Sequence, residues 1–235
     1  MNILLITGWG LGTHLLTPFA MLLREKHHVD IWDIFDPNQT ELLKDKINLA
    51  NQYDLLMGWS LGGELAIYLA HQILQQHGVA KPVIAYMSNP CFVANEDWSS
   101  AMPIAQFMQF EQAAQHDMLS TLKRFSHLVC MGSQDSRNRA KLLQNQLINI
   151  DLNYQKKHLY LLKQLNLVPI LQTYSAKILF IFSEKDSLVP CKVMQEDVFY
   201  QQNLIQVKKI NASHDAILFD SKLVFAASLD FLQQC

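Results

Sequence analysis

Charge is scarce in this chain. Asp, Glu, Lys and Arg together make up 17% of its 235 residues, and the net charge is −2. So small a balance gives no global attraction to nucleic acid or to an anionic membrane surface. Long apolar runs are lacking as well. The opening Met1-Asn2-Ile3-Leu4-Leu5-Ile6-Thr7 has no basic flank and no small-residue cleavage site. It stops at Gly8, far short of a bilayer span, and reads as a strand. The four cysteines, Cys91, Cys130, Cys191 and Cys235, lie far apart with no CxxC pair, which excludes the common zinc and redox motifs. With no export signal, reduced thiols in a cytoplasm are expected. Internal repeats and low-complexity linkers are also missing. Half of the residues are hydrophobic, which argues against disorder and leaves a chain able to bury a substantial core as one domain.

What is present is an alternation of apolar runs and helical patterns. Strands are expected at Asn2–Thr7, His28–Phe35, Tyr53–Met57, Pro82–Met87, Lys177–Phe182 and Leu204–Ile210. Helices are expected at His14–Lys26, at Asn38–Asn51 with Asn38 as a capping residue, from Leu61 onward, and at Lys222–Leu232. Leu61, Leu65, Ala66, Leu69, Ala70, Ile73 and Leu74 recur at helical spacing. Such alternation predicts an α/β fold: a mostly parallel sheet, joined by right-handed crossovers, with helices on both faces. The alternation breaks between Cys91 and Ser175, where the sequence is helical throughout. The expected organisation is a core of residues 1–90 and 176–235 with a helical cap inserted at 91–175.

Gly58-Trp59-Ser60-Leu61-Gly62 lies where a strand gives way to a helix. A hydroxyl at the tip of such a turn stands above the sheet at the positive end of the following helix. Residues two before and two after it crowd each other, and glycines at both relieve the crowding. Ser60 is therefore the candidate nucleophile. Its base should arrive late in the chain, and His214 in "INASHDA" follows the last strand, just before the final helix. The acid belongs in the loop of "LFIFSEKDSLVP". Glu184 and Asp186 are both available there; Asp186 is favoured because Glu184 sits close to the strand end. Asp215 is a further possibility, although a neighbour of His214 points its side chain elsewhere. The backbone N–H groups of Leu61 and of Trp9, in "TGWGLG", are the candidate oxyanion donors. That glycine-rich turn, with Asp30 and Asp33 downstream, also suggests a dinucleotide-binding oxidoreductase. The fingerprint spacing fails at Thr13, and Trp9 would obstruct a pyrophosphate.

Taken together, "GWGLG", "GWSLGG", "SNPCF…W", "RF…MGSQDSRNRAK", "DSLVP" and "ASHDA" resemble the pimeloyl-[acyl-carrier protein] methyl ester esterases of biotin synthesis, within the α/β-hydrolase superfamily. The resemblance runs in order across nearly the whole chain. It implies Ser60 as nucleophile, Asp186 as acid and His214 as base, with Trp9 and Leu61 forming the oxyanion hole. It further implies that Phe125 lines the acyl path and that Arg124, Arg137 and Lys141 meet an acyl carrier protein. There are departures: strands usually precede the oxyanion strand, Thr7 replaces a histidine, and "DIFDPNQ" lacks a glycine-rich loop. These bear on the sheet edge and the entrance shape more than on the chemistry.

Residues 118–163 carry eight Lys and Arg against two Asp, in a chain that is slightly acidic overall. A basic patch of this kind would steer an acidic carrier. Phe107, Met108, Phe110, Met118, Phe125 and Met131 are candidates to line an acyl tunnel or to pack the cap on the core. The expected protein is thus a cytoplasmic, monomeric serine esterase. It needs no metal or redox cofactor and has no nucleic-acid or membrane partner. A general short-chain carboxylesterase and a non-catalytic binding module on the same fold are the competing expectations.

Overall fold

A computed structural model describes all 235 residues. Six strands form one parallel sheet in the order β2-β1-β3-β4-β5-β6. They are β1 (Asn2–Ile6), β2 (His28–Trp32), β3 (Leu55–Trp59), β4 (Val83–Tyr86), β5 (Ile178–Ser183) and β6 (Ile205–Ile210). The helices between β1 and β4 are α1 (Thr17–Arg24), α2 (Thr40–Ala50) and α3 (Leu61–His77). Between β4 and β5 run α4 (Ile104–His116), α5 (Met118–Cys130), α6 (Ser136–Gln146), α7 (Leu152–His158), α8 (Leu161–Gln164) and α9 (Val168–Thr173). The chain closes with α10 (Val198–Gln201), α11 (Ala216–Phe219) and α12 (Ser221–Leu232).

Every residue of β3, β4 and β5 is buried. Central strands of a parallel sheet are covered on both faces, and their sequences are accordingly continuous apolar runs rather than alternating ones. β1 pairs with β2 on one side and β3 on the other, so the chain reverses its direction of travel across the sheet at β1. Loops leaving the carboxyl ends of β1 and β3 diverge there and leave a crevice, which is where ligands bind in open α/β sheets. Ser60 and Trp9 stand at those two ends.

Several element boundaries differ from the sequence expectation for identifiable reasons. The helix expected at His14–Lys26 is split: a 3-10 turn covers Thr13–Leu16, and α1 starts at Thr17 with Pro18 in its first turn. Proline lacks the N–H an interior position needs and suits a helix start. Asn38 does not cap α2; its side-chain amide donates to Tyr160 Oη and Gln164 Oε1. The long helical stretch through 105–129 breaks at Asp117, whose carboxylate accepts from the Ser120 amide and starts α5. One continuous hydrophobic cluster joins the sheet, its flanking helices and the helical segment between β4 and β5. No helix is long and apolar enough to cross a membrane.

Candidate active site

β3 ends at Trp59 and α3 begins at Leu61, so the turn between them is Ser60 alone. Ser60 has φ 55° and ψ −127°, a conformation that costs a non-glycine residue on the order of 1–3 kcal/mol and persists only where its surroundings enforce it. Its N–H donates to the Tyr86 carbonyl at 2.9 Å, which ties the turn to β4. A Cβ on Gly58 would collide with the Gly62 carbonyl, and one on Gly62 would collide with the carbonyls of Ile6 and Thr7. The two glycines are thus what allow strand and helix to meet at this angle. Ser60 keeps 9% of its surface exposed, at the N-terminus of a 17-residue helix.

The loop after β5 brings Asp186 under the loop after β6. Asp186 Oδ1 accepts the N–H groups of Leu188 and Val189 at 2.8 and 2.9 Å. Oδ2 lies 2.7 Å from His214 Nδ1, and both side chains are fully buried. With one carboxylate oxygen held by backbone and the other by the ring, the imidazole is fixed with Nδ1 toward Asp186. Nε2 is buried and has no hydrogen-bond partner, Ser60 included. Such orphaned nitrogens are rare in folded proteins, and catalytic hydrogen bonds often tighten only when substrate arrives. The Trp59 indole donates to the His214 carbonyl at 3.0 Å, and their rings lie 5.4 Å apart, so the imidazole leans on the residue before Ser60. The other carboxylates weighed for this role are engaged elsewhere. Glu184 pairs with Lys209 at 3.4 Å, and Asp215 meets Arg139 and the Ser213 hydroxyl.

A Cβ on Gly8 would stand 3.1 Å from Ser60 Cβ, so the loop after β1 closes directly over the turn. The Trp9 N–H has no protein acceptor. Leu61, as the first residue of a helix, has no intrahelical acceptor for its N–H either. The Trp9 ring meets Phe125 and Phe110 edge-on at 5.1 and 5.7 Å. Phe125 and Phe110, with Phe92, Arg124, Leu162 and Leu188, help to line a cavity of 240 Å³. Ser60 is not among its lining residues. Two of its lining residues adjoin the site in contact or in sequence: Phe125 packs on Trp9, and Leu188 follows Asp186 by two residues.

The six apolar residues of α4, α5 and their surroundings divide accordingly. Phe110 and Phe125 face the cavity, Phe107 and Met118 are buried in packing, and Met108 and Met131 are about half exposed. Arg124 is exposed at the cavity rim; Arg137 and Lys141 are exposed on α6, away from it, and none of the three forms an ion pair. Arg139 leaves the presumed basic surface altogether. It is only 18% exposed and binds Asp220 at 2.6 Å and Asp215 at 3.3 Å. Sequence reasoning also missed Gln155, a 2% exposed residue of α7 that contacts the loop after β1. No local pattern marks it; its partners are about 145 residues distant in the chain.

No family model matches the chain. A curated relative from Stenotrophomonas maltophilia, named a pimeloyl-[acyl-carrier protein] methyl ester esterase, is 30% identical over 206 residues, spanning 83% of this chain and 78% of that protein. A protein of the same name from Shewanella woodyi is 26% identical over 228 residues, spanning 92% and 88%. The solved structure of an esterase from Exiguobacterium antarcticum matches with a TM-score of 0.80 at 15% identity, over 100% of this chain and 92% of that one, a likeness of fold. The parallel sheet and these relatives define an α/β-hydrolase, and within it a carboxylic ester hydrolase. More narrowly, the chain belongs to the pimeloyl-[acyl-carrier protein] methyl ester esterase family.

Proposed function

We propose that this esterase hydrolyses the methyl ester of a pimeloyl chain borne on an acyl carrier protein, releasing methanol and the free carboxylate in biotin synthesis. The reading rests above all on one observation: His214 is locked to Asp186 through Nδ1 at 2.7 Å while its Nε2 stays unpartnered and its ring packs on Trp59, the residue before Ser60. The names of the two relatives supply the substrate.

In the first step His214 Nε2 takes the Ser60 proton as Oγ attacks the ester carbonyl. The resulting oxyanion is stabilised by the Trp9 and Leu61 amides, both free of protein acceptors, and by the positive end of α3. His214 returns the proton to the departing methoxide, methanol leaves, and an acyl-Ser60 remains. Water then attacks the acyl carbon, giving one proton to His214. The tetrahedral intermediate expels Ser60, which regains that proton, and the carboxylic acid ionises on release. Asp186 keeps the imidazole oriented and stabilises its charged form. Residues 91–175 act as the cap, Phe125 as part of the acyl wall, and Arg124, Arg137 and Lys141 as the face met by the acidic carrier.

The test is Ser60→Ala, assayed by gel shift on the carrier-bound pimeloyl methyl ester and on the same ester without carrier. Loss of a triad member lowers kcat by several powers of ten. Substantial turnover in the alanine variant would remove Ser60 from the mechanism. Equal rates on the two wild-type substrates would instead favour a general short-chain carboxylesterase.

A further inference from the structure

The loop that carries the Trp9 amide has little internal means of holding it still. Gly8, Gly10 and Gly12 alternate through it, and glycine backbones lose the most conformational freedom on ordering. β1 ends at Ile6, and after it the loop's own bonds are few: Thr7 N–H donates to the Trp32 carbonyl at 3.0 Å, and the Thr7 hydroxyl to the Leu11 carbonyl at 3.3 Å. Gly10 takes φ +83°, where a side chain would be strained and would press on Leu122 and Phe125.

Two further bonds hold the loop immediately after the Trp9 amide, and both go to one residue. The Trp9 indole N–H donates to the Gln155 carbonyl, and the Gly10 N–H donates to Gln155 Oε1, each at 2.8 Å and each buried. Gln155 belongs to α7, which is itself anchored. Asp151 Oδ1 accepts the Asn153 and Tyr154 amides at 3.0 Å at its start, and the Tyr154 hydroxyl donates to the Ile34 carbonyl in the loop after β2. Burying an amide side chain to 2% exposure is unfavourable unless its polar atoms are satisfied, so an apolar residue would be the default at this position.

We infer that Gln155 is a positioning residue for the oxyanion donor: it clamps the Trp9 side chain and the backbone N–H that follows it, and so aims the Trp9 amide at Ser60. The inference rests on the reading of Trp9 as an oxyanion donor. Because Gln155 sits in the helical segment between β4 and β5, the donor is aimed only while that segment is seated on the core. Lifting α7 would release Gly10 and the indole together, so enclosure of the substrate and assembly of the oxyanion hole become one event. A preorganised donor contributes to the transition state and little to ground-state binding.

The test uses Gln155→Met, which keeps length and removes the acceptor, and Trp9→Phe, which keeps the backbone amide and the aromatic wall but removes the indole N–H. Both are assayed on a short p-nitrophenyl ester beside wild type and Ser60→Ala, with melting temperatures recorded. Removing an oxyanion donor outright costs about 100- to 1,000-fold in kcat. Loosening one is expected to cost roughly tenfold or more in each folded variant, with KM within about twofold. The rate of Ser60 labelling by a phosphonate should fall in parallel. Unchanged kcat in either folded variant, or a loss confined to KM, overturns the clamp. If Gln155→Met does not fold, Trp9→Phe decides alone. Should Ser60→Ala itself remain active, the failure belongs to the catalytic reading; an inactive Ser60→Ala beside fully active clamp variants discards the clamp alone.

Discussion

Glu64 lies one helical turn past Ser60 on α3, fully buried, and one of its carboxyl oxygens has no hydrogen-bond partner. Burial raises its pKa well above the ordinary 4.5, opposed only by the backbone amide of Phe92. Burial in this setting favours the neutral form of the carboxyl in the folded chain. Its pKa is higher in the folded than in the unfolded chain, so its contribution to stability is complete below pH 4.5 and is lost as pH rises through the folded value. Glu64→Gln mimics the neutral carboxyl and removes the linkage. Its stability relative to wild type should therefore increase as pH rises above 4.5, as read by urea unfolding at a series of pH values; a pH-independent difference would contradict this. The elbow residues were legible in the sequence because the clash they relieve is local: Gly58 and Gly62 bracket the very residue that needs them. Glu64 was not, since its spacing is that of any helical position and only its complete burial, near the backbone amide of Phe92, makes it unusual.

At the scale of elements, the helical segment touches each of the three loops that build the site. α7 holds the loop after β1 through Gln155. The end of α5 meets the loop after β5: the Ser187 hydroxyl donates to the Leu128 carbonyl at 2.7 Å, and Gly132, at φ +93°, lies so close to Lys185 that a side chain there would strike its backbone. α6 holds the loop after β6 through Arg139, whose guanidinium binds Asp215, the neighbour of His214, and Asp220. Hydrogen bonds donated to Asp220 lead in raising the Arg139 pKa above the usual arginine value, against the effect of burial. Asp215 is fully buried, so removing the cation leaves a charge without its partner. Arg139→Leu should lose about 3–5 kcal/mol in chemical denaturation, and adding Asp215→Ala should restore most of it. Equal destabilisation in the single and double variants would refute the pairing. The strands were readable because buried parallel strands are unbroken apolar runs, and the order of elements followed from them. The interruptions at Pro18 and Asp117 shifted boundaries because capping and a proline in the first turn outweigh the apolar period that runs across them.

At the scale of the molecule, charge is distributed unevenly even though its total is small. Arg139 is taken up internally, whereas Arg137 and Lys141 remain exposed on α6 without ion pairs. Reversing both, Arg137→Glu with Lys141→Glu, should lower kcat/KM for the carrier-bound ester on the order of tenfold at low ionic strength. The deficit should shrink as salt screens the surface, because exposed charges lose their reach within a Debye length. A salt-independent deficit would point to a local defect. From sequence, the patch was visible only as a count, since which cations face solvent depends on how the helices pack.

The sheet itself imposes an order on biosynthesis. The partner of one edge of β4, β3, precedes it in the chain, but its other edge is completed only by β5, which begins at Ile178 beyond all six intervening helices. At translation speeds of roughly 5–20 residues per second, that edge stays open for several seconds with four wholly apolar-packed residues on display. A nascent chain in this state is four strands awaiting the last two, and it invites pairing with any unfinished neighbour on the same message.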